Sequence, residues 1–183
     1  MINDADQKRL LSLARRALEA RVRKSDPPAI DVHLDIKSGA FVSIFRHGDL
    51  RGCLGRLDSD LPLALLVMEL AQAVADSDPR FDPVTPQELK EIVFEVSVLT
   101  PEREVTSMEA IEVGRHGLIV EQGVSRGLLL PQVAIEHGWD RHTFLDQTCL
   151  KAGLLPGAWK RGARVFAFEA EVFGERPTSI VRS

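Results

Sequence analysis

The chain has 183 residues, of which 44% are hydrophobic and 27% charged, and its formal net charge is −4 at pH 7. These values are typical of a soluble globular protein that needs no disulfide or metal to hold its core. The negative charge argues against general nucleic-acid binding, and no apolar run is long enough to span a bilayer. The N-terminus lacks the layout of a signal peptide, and the two distant cysteines form no C-x-x-C pair. We therefore expect a cytoplasmic protein that contacts neither membrane nor nucleic acid.

The first predicted element is a helix that ends near Arg23. Asn3 or Asp4 is placed to cap it, and leucines and alanines recur at helical spacing along one face. Two prolines at 27–28 follow, and neither can continue a helix. The segment 29–39 is predicted to be a connector between this helix and the first strand.

A β-hairpin is predicted next, with a strand over 41–46, a turn at 47–49 and a returning strand. The returning strand reads Leu50-Arg51-Gly52-Cys53-Leu54-Gly55-Arg56. If the segment is extended, Arg51, Cys53 and Gly55 project to one face. A guanidinium beside a thiol favours the thiolate, which is the nucleophilic form. The pattern is compatible with a reactive cysteine and also with a small buried one beside a tight turn.

The rest of the chain mixes helices and strands without regular alternation. We predict an apolar helix over 61–75 capped by Ser59 or Asp60, a short helix after Thr85 and a strand over 92–98. These elements are followed by a helical turn near Met108 and a hairpin around Gly123. The last predicted elements are helices over 131–137 and 141–152 and one final strand over 163–173. Hairpins mixed with helices in this way predict an α+β fold.

Cysteines, histidines and carboxylates outside the hairpin give weak site signals. Cys149 falls on the apolar side of its helix and is expected to belong to the core. No metal or other cofactor is predicted, because no recognised ligand spacing relates the candidates Cys53, His116, His137, His142 and Cys149. Three carboxylates are available for acid–base chemistry but are expected at the surface: Glu69, Asp76 and Asp78.

The hexapeptide Leu50-Arg51-Gly52-Cys53-Leu54-Gly55 resembles the hallmark motif of the AMMECR family, named after a human chromosomal-deletion region. Further matches follow in order over roughly residues 5–175, among them Asp78-Pro79-Arg80-Phe81, Ser97-Val98-Leu99, Gly127-Leu128-Leu129-Leu130-Pro131-Gln132-Val133-Ala134 and Cys149-Leu150-Lys151-Ala152-Gly153-Leu154. The set resembles most the prokaryotic branch called AmmeMemoRadiSam system protein A. Leu54 stands where isoleucine or valine is usual, a change that we expect to be neutral.

The resemblance implies an α+β fold of two unequal lobes, built from mixed or antiparallel hairpins and packed helices. It implies one domain over residues 5–175, with tails at 1–4 and 176–183, and a hexapeptide near a groove between the lobes. It also implies a Memo-type protein and a radical S-adenosylmethionine enzyme as partners. It implies no particular reaction, so the functional hypotheses depend on the residues.

The first hypothesis is a cysteine-dependent enzyme that acts on a small anionic substrate. Cys53 would be the nucleophile, His116 or His137 the base, and the amides around Gly52 and Gly55 would steady an oxyanion. The substrate-binding candidates are Arg51, Gly52, Gly55, Arg56, Arg80 and Gln132. The alternatives are a non-catalytic binding or adaptor module of the same system and a metal-binding protein.

Overall fold

A computed structural model describes residues 1–175, and the predicted tail 176–183 lies outside the described residues. The chain divides into two units. Unit 1 comprises Met1–Leu99 and the chain from Glu171, and unit 2 comprises Thr100–Ala170. Each unit has its own cluster of buried apolar side chains.

Four α-helices and eight β-strands are present within residues 1–175. The helices are α1 Asp4–Arg23, α2 Leu63–Val74, α3 Pro131–Glu136 and α4 Arg141–Lys151. The strands are β1 Ala40–Arg46, β2 Asp49–Arg56, β3 Ile92–Leu99, β4 Arg103–Glu104, β5 Gly117–Gln122, β6 Ser125–Leu129, β7 Arg164–Phe168 and β8 Ala170–Gly174. Short 3₁₀ turns lie at Pro86–Glu88, Met108–Ala110 and Ala158–Lys160.

Unit 1 is a four-stranded sheet with α1 and α2 packed against one face. The strand order is β2-β1-β3-β8, so β2 is an edge strand. Val42 and Ile44 of β1 are fully buried toward the helices. The opposite face, called here the outer face, carries the half-buried side chains that alternate with them, including Phe41 and Ser43.

The pairing of β1 fixes which residues of unit 1 lie side by side. Ser43 is opposite Cys53 on β2 and opposite Glu95 on β3, and both pairings are antiparallel. The register between β1 and β2 shifts after Ile44, and Arg51 is the extra residue of a β-bulge. The bulge interrupts the regular alternation that the sequence predicted for β2.

Unit 2 has a second four-stranded sheet, in the order β4-β7-β5-β6, with α4 packed against β5 and β6. Asp140 caps α4, as predicted, by accepting a hydrogen bond from the Thr143 N–H (2.8 Å). The two sheets with their separate helices confirm the α+β fold class. No helix among residues 1–175 combines the length and apolar character that crossing a membrane requires.

Two predicted elements differ from the structure. Helix α2 begins at Leu63 with Pro62 at its N-cap, because the Ser59 hydroxyl accepts from the Leu61 N–H (3.1 Å) and so does not reach the helix. The predicted final strand 163–173 is two strands, β7 and β8, that belong to different sheets. The break falls at Glu169, whose N–H donates to the Thr100 hydroxyl (2.8 Å).

Candidate functional site

Cys53 lies in the middle of β2, half-buried on the outer face. Its backbone N–H donates to Asp78 Oδ2 (2.9 Å), and Arg80 Nη2 donates to its carbonyl (3.3 Å). Because β2 is an edge strand, both backbone groups would otherwise face solvent. Asp78 and Arg80, called here the clamp, therefore take the place of a neighbouring strand at this one residue.

The two residues of the clamp are also paired with each other. Arg80 donates from Nε to Asp78 Oδ1 (3.0 Å) and from Nη2 to Oδ2 (2.8 Å). Asp78 is buried, which corrects the expectation of a surface carboxylate. The Arg80 guanidinium, helped by the Cys53 and Arg80 N–H groups, holds the pKa of Asp78 well below its ordinary range although burial opposes this.

Arg51, the bulged residue, contacts a second buried carboxylate. It donates from Nε to Glu88 Oε1 (2.8 Å) and from Nη2 to Oε2 (3.2 Å). Glu88 also accepts from the Thr85 N–H (2.8 Å). The Arg51 guanidinium is the largest cause that lowers the pKa of Glu88 to about 2. Arg51 is therefore bound to Glu88, whereas regular alternation predicted that it would neighbour the thiol.

The two glycines beside Cys53 have packing reasons. A Cβ on Gly55 would lie 2.2 Å from the Phe41 ring, and a Cβ on Gly52 would lie 2.9 Å from a Val74 methyl group. Gly55 thus permits the close approach of the Phe41 ring on the outer face, and Gly52 permits the close approach of α2 on the inner face. One of the N–H groups between them, that of Cys53, already binds Asp78. These contacts explain both glycines without an oxyanion site.

A thiol, a hydroxyl and a carboxyl form a row across three strands. Ser43 Oγ donates to Cys53 Sγ (3.2 Å), and Glu95 is the next residue of the row on β3. Directly opposite residues project to the same face of a sheet. Glu95 is half-buried, and burial raises its pKa. We call this set the Cys53–Ser43–Glu95 row.

Sequence reasoning missed the row and the second buried carboxylate. Regular alternation along β3 puts Glu95 on the face opposite the buried residues, but only the pairing register puts it in line with Cys53. The Thr85–Glu88 spacing is typical of a capping box, and the structure forms one there. Glu88 could therefore have been predicted as a cap, although not as the partner of Arg51.

Among the remaining candidates, Arg56 is in unit 1, where its Nη2 lies 3.1 Å from Glu69 Oε2 at the surface. His137 and Gln132 are exposed in unit 2, where the His137 ring stacks on Trp139 with centroids 4.6 Å apart. Cys149 is fully buried in the core of unit 2, as predicted, and burial raises its pKa.

His116 is buried in unit 2 and engaged at both ring nitrogens. Its Nδ1 accepts from the Glu112 N–H (3.0 Å), so the hydrogen-bond network assigns the ring proton to Nε2. Nε2 lies 3.5 Å from Glu169 Oε1 and 3.1 Å from Arg103 Nη2. The role of His116 or His137 as a base for Cys53 stays a prediction.

Metal binding gains no support from the described residues. Within 1–175, no three or more His, Cys, Asp or Glu side chains lie close enough together to hold a metal ion. Three or four converging ligands are needed for a protein metal site.

The protein is an α+β protein with two four-stranded sheets and a glycine-flanked cysteine on an edge strand. Comparison with known proteins identifies the family that has these features. A sequence model of the AMMECR1 family matches residues 11–173. The chain belongs to the AMMECR1 family.

Individual relatives agree over nearly the full length of the chain. A protein from Methanosarcina barkeri is 42% identical, covering 96% of this chain and 93% of that protein. A protein from Thermofilum pendens is 46% identical, covering 91% and 88%. The crystal structure of the uncharacterised protein PH0010 from Pyrococcus horikoshii is similar, with a TM-score of 0.76 and 41% identity over 96% of this chain and 94% of that one.

Proposed function

We propose that the protein is a cysteine-dependent enzyme in which Cys53 is the nucleophile. One observation carries this: the clamp binds both the N–H and the carbonyl of Cys53, whose half-buried side chain lies beside the Ser43 hydroxyl. Catalytic groups need a fixed backbone and an accessible reacting atom. Cys149, which serves packing, is fully buried.

The surroundings of the sulfur support nucleophilic chemistry. A hydroxyl that donates to Sγ favours the thiolate over the thiol. The thiolate would attack an electrophilic carbon of the substrate and form a covalent S–C bond, as the bond from that carbon to its leaving group breaks and the leaving group departs with the electron pair.

We propose a small anionic substrate because Arg80 lies beside the thiol and leaves part of its guanidinium open. Its side chain is 58% exposed, and it contacts the Cys53 carbonyl. The hydrogen bonds that Arg80 donates to the Asp78 carboxylate raise the pKa of Arg80, so the guanidinium stays charged. Arg51 is less suitable, because its side chain is only 16% exposed and is bound by Glu88.

The resemblance to system protein A adds a cellular setting to this proposal. On that basis we propose a cytoplasmic protein that works alongside a Memo-type protein and a radical S-adenosylmethionine enzyme. The test is product formation by the three proteins together, with Cys53→Ala compared with Cys149→Ala. We expect loss of product with the first variant only. Unchanged product formation with Cys53→Ala would remove the nucleophile role.

A second candidate function is a non-catalytic binding module that uses the edge of β2. Leu50 and Leu57 flank Cys53 on this edge and are 39% and 48% exposed. Exposed edge strands recruit strands of partner chains. Co-elution with the Memo-type protein that survives Cys53→Ala but not Leu57→Lys would support this function. Gly55→Val is a poorer probe, because the added side chain would displace the Phe41 ring.

A further inference from the structure

We propose that Glu95 accepts the Cys53 proton through the Ser43 hydroxyl when the sulfur reacts. This inference rests on the proposed nucleophile role of Cys53 and names a base for it within unit 1. It uses the Cys53–Ser43–Glu95 row, whose members come from three adjacent strands.

The geometry of the row supports a relay. Ser43 pairs directly with Cys53 on one side and with Glu95 on the other. Directly opposite residues have Cβ atoms about 5 Å apart, a gap that a glutamate side chain spans. Ser43 Oγ is already 3.2 Å from Sγ. The pairing register thus places Ser43 between Cys53 and Glu95 in the row.

The charges around the row favour proton uptake by Glu95. Burial raises its pKa, which favours the protonated carboxyl. The neighbouring acids have other partners. Asp78 is bound by Arg80, and Glu88 by Arg51. On β8 and just after it, Glu171 accepts from the Ile2 N–H (3.0 Å) and Glu175 pairs with Arg15 (2.6 Å).

The proposed step conserves protons and electrons. The S–H bond breaks, its proton passes to Ser43 Oγ, and the original Ser43 proton passes to the Glu95 carboxylate. The sulfur keeps the electron pair and uses it to form the new S–C bond, while the bond from that carbon to its leaving group breaks and the leaving group departs with the electron pair, as iodide departs from iodoacetamide. Afterwards Ser43 donates a hydrogen bond to Sγ, which is the direction that the structure shows.

Alkylation of Cys53 by iodoacetamide tests the relay without a known substrate. The rate would be measured on the full-length protein from about pH 5 to pH 9, with peptide mass spectrometry separating Cys53 from Cys149. A general base speeds alkylation at pH values where the thiol is neutral, because ionised Glu95 assists the neutral thiol. The profile of rate against pH then shows a shoulder in that region. We expect Glu95→Gln and Ser43→Ala each to remove this shoulder and to slow alkylation near pH 6 by about 10- to 100-fold.

Three further variants sharpen the result. The double variant should be no slower than either single one, because both remove the same relay. Glu95→Asp keeps a carboxyl and should retain part of the shoulder, and circular dichroism confirms that each variant is folded. Glu91→Gln is the matched control, since it removes a carboxylate near the start of β3 that pairs with Arg46. Its profile should match the wild type.

The outcomes separate this inference from the proposed function. If Glu95 acts only as a nearby negative charge, Glu95→Gln will speed alkylation at neutral pH, because removing that charge favours the anionic sulfur. That result, or an unchanged profile, overturns the relay and leaves the nucleophile role of Cys53 intact. Failure of Cys53 to react at any pH in the folded wild type overturns both.

Discussion

The two cysteines of the chain are held by different kinds of contact. Cys149 in unit 2 is fully buried in an apolar cluster with Phe144 and Leu145. Cys53 in unit 1 is half-buried, and Asp78 and Ser43 bind its N–H and its sulfur. Apolar packing is insensitive to pH, whereas a site held by carboxylates is not. The comparison predicts that substitutions that remove a charge will destabilise the Cys53 region. Substitutions that remove side-chain volume should destabilise the Cys149 region.

The largest expected effect is the loss of the buried pair beside Cys53. Glu88→Gln removes the carboxylate that binds Arg51, whose side chain is only 16% exposed. Breaking a buried ion pair leaves an uncompensated charge, and we expect a loss of about 3 kcal/mol of unfolding free energy. Urea denaturation combined with hydrogen exchange of the β2 amides measures it. Glu91→Gln, at the surface, should change little.

Because of the same Arg51–Glu88 pair, the stability of the Cys53 region should depend on pH in the acidic range. The pKa of Glu88 is about 2 in the folded chain against an ordinary value of 4.5. A lowered carboxyl pKa stabilises the folded state fully above the ordinary value, and this contribution is lost as the pH falls toward 2. Glu88→Gln should therefore flatten the decline of stability with acid. An equally steep decline in this variant would contradict the assignment.

Removal of the clamp should have a smaller effect. Asp78→Ala leaves the Cys53 N–H without its acceptor and separates Arg80 from its carboxylate. A hydrogen bond to a charged group contributes about 2 kcal/mol, so we expect that loss together with roughly 30-fold faster exchange of the Cys53 amide. Asp76→Asn is the control, because Asp76 is exposed and pairs with Arg21 at the surface. Unchanged exchange in Asp78→Ala would show that the clamp does not fix Cys53.

These polar contacts mark the limit of what the sequence alone predicts. Local signals predicted a cap of α1 at Asn3 or Asp4, the hairpin that carries Cys53 and the strand over 92–98, and the structure confirms the last two and places Asn3 at the cap. Each depends on neighbours in sequence. The clamp joins Cys53 to residues about 25 positions later, and nothing local indicates that Asp78 is buried.

Two other features could not be predicted because they depend on strand pairing. The bulge at Arg51 follows from the register of β2 against β1, and it turns a predicted neighbour of the thiol into the partner of Glu88. The Cys53–Ser43–Glu95 row likewise exists only once three strands are aligned. Since register is a tertiary property, single-strand periodicity predicts which face a residue takes but not which residue lies opposite.

On the other side of the comparison, Cys149→Ala tests apolar packing. Removing one buried heavy atom from a close-packed core should cost about 1 kcal/mol. Both tryptophans, Trp139 and Trp159, lie in unit 2 and pack against its core, so their fluorescence follows unfolding there. The loss should be the same at about pH 5 and pH 8, because no titrating partner is removed. Cys53→Ala should cost less than about 0.5 kcal/mol, since its side chain is only half-buried.

The smallest expected effect distinguishes buried from exposed charge around Cys53. Arg56 follows the hexapeptide and pairs with Glu69, but the two side chains are 50% and 39% exposed. Exposed pairs gain little, because water already solvates both charges and salt screens what is left. Arg56→Gln should therefore cost at most about 0.5 kcal/mol, and about 0.5 M salt should remove even that difference. Thermal melts of wild type and variant at low and high salt measure it. A loss as large as that of Glu88→Gln would mean that charge alone, irrespective of burial, maintains the Cys53 region.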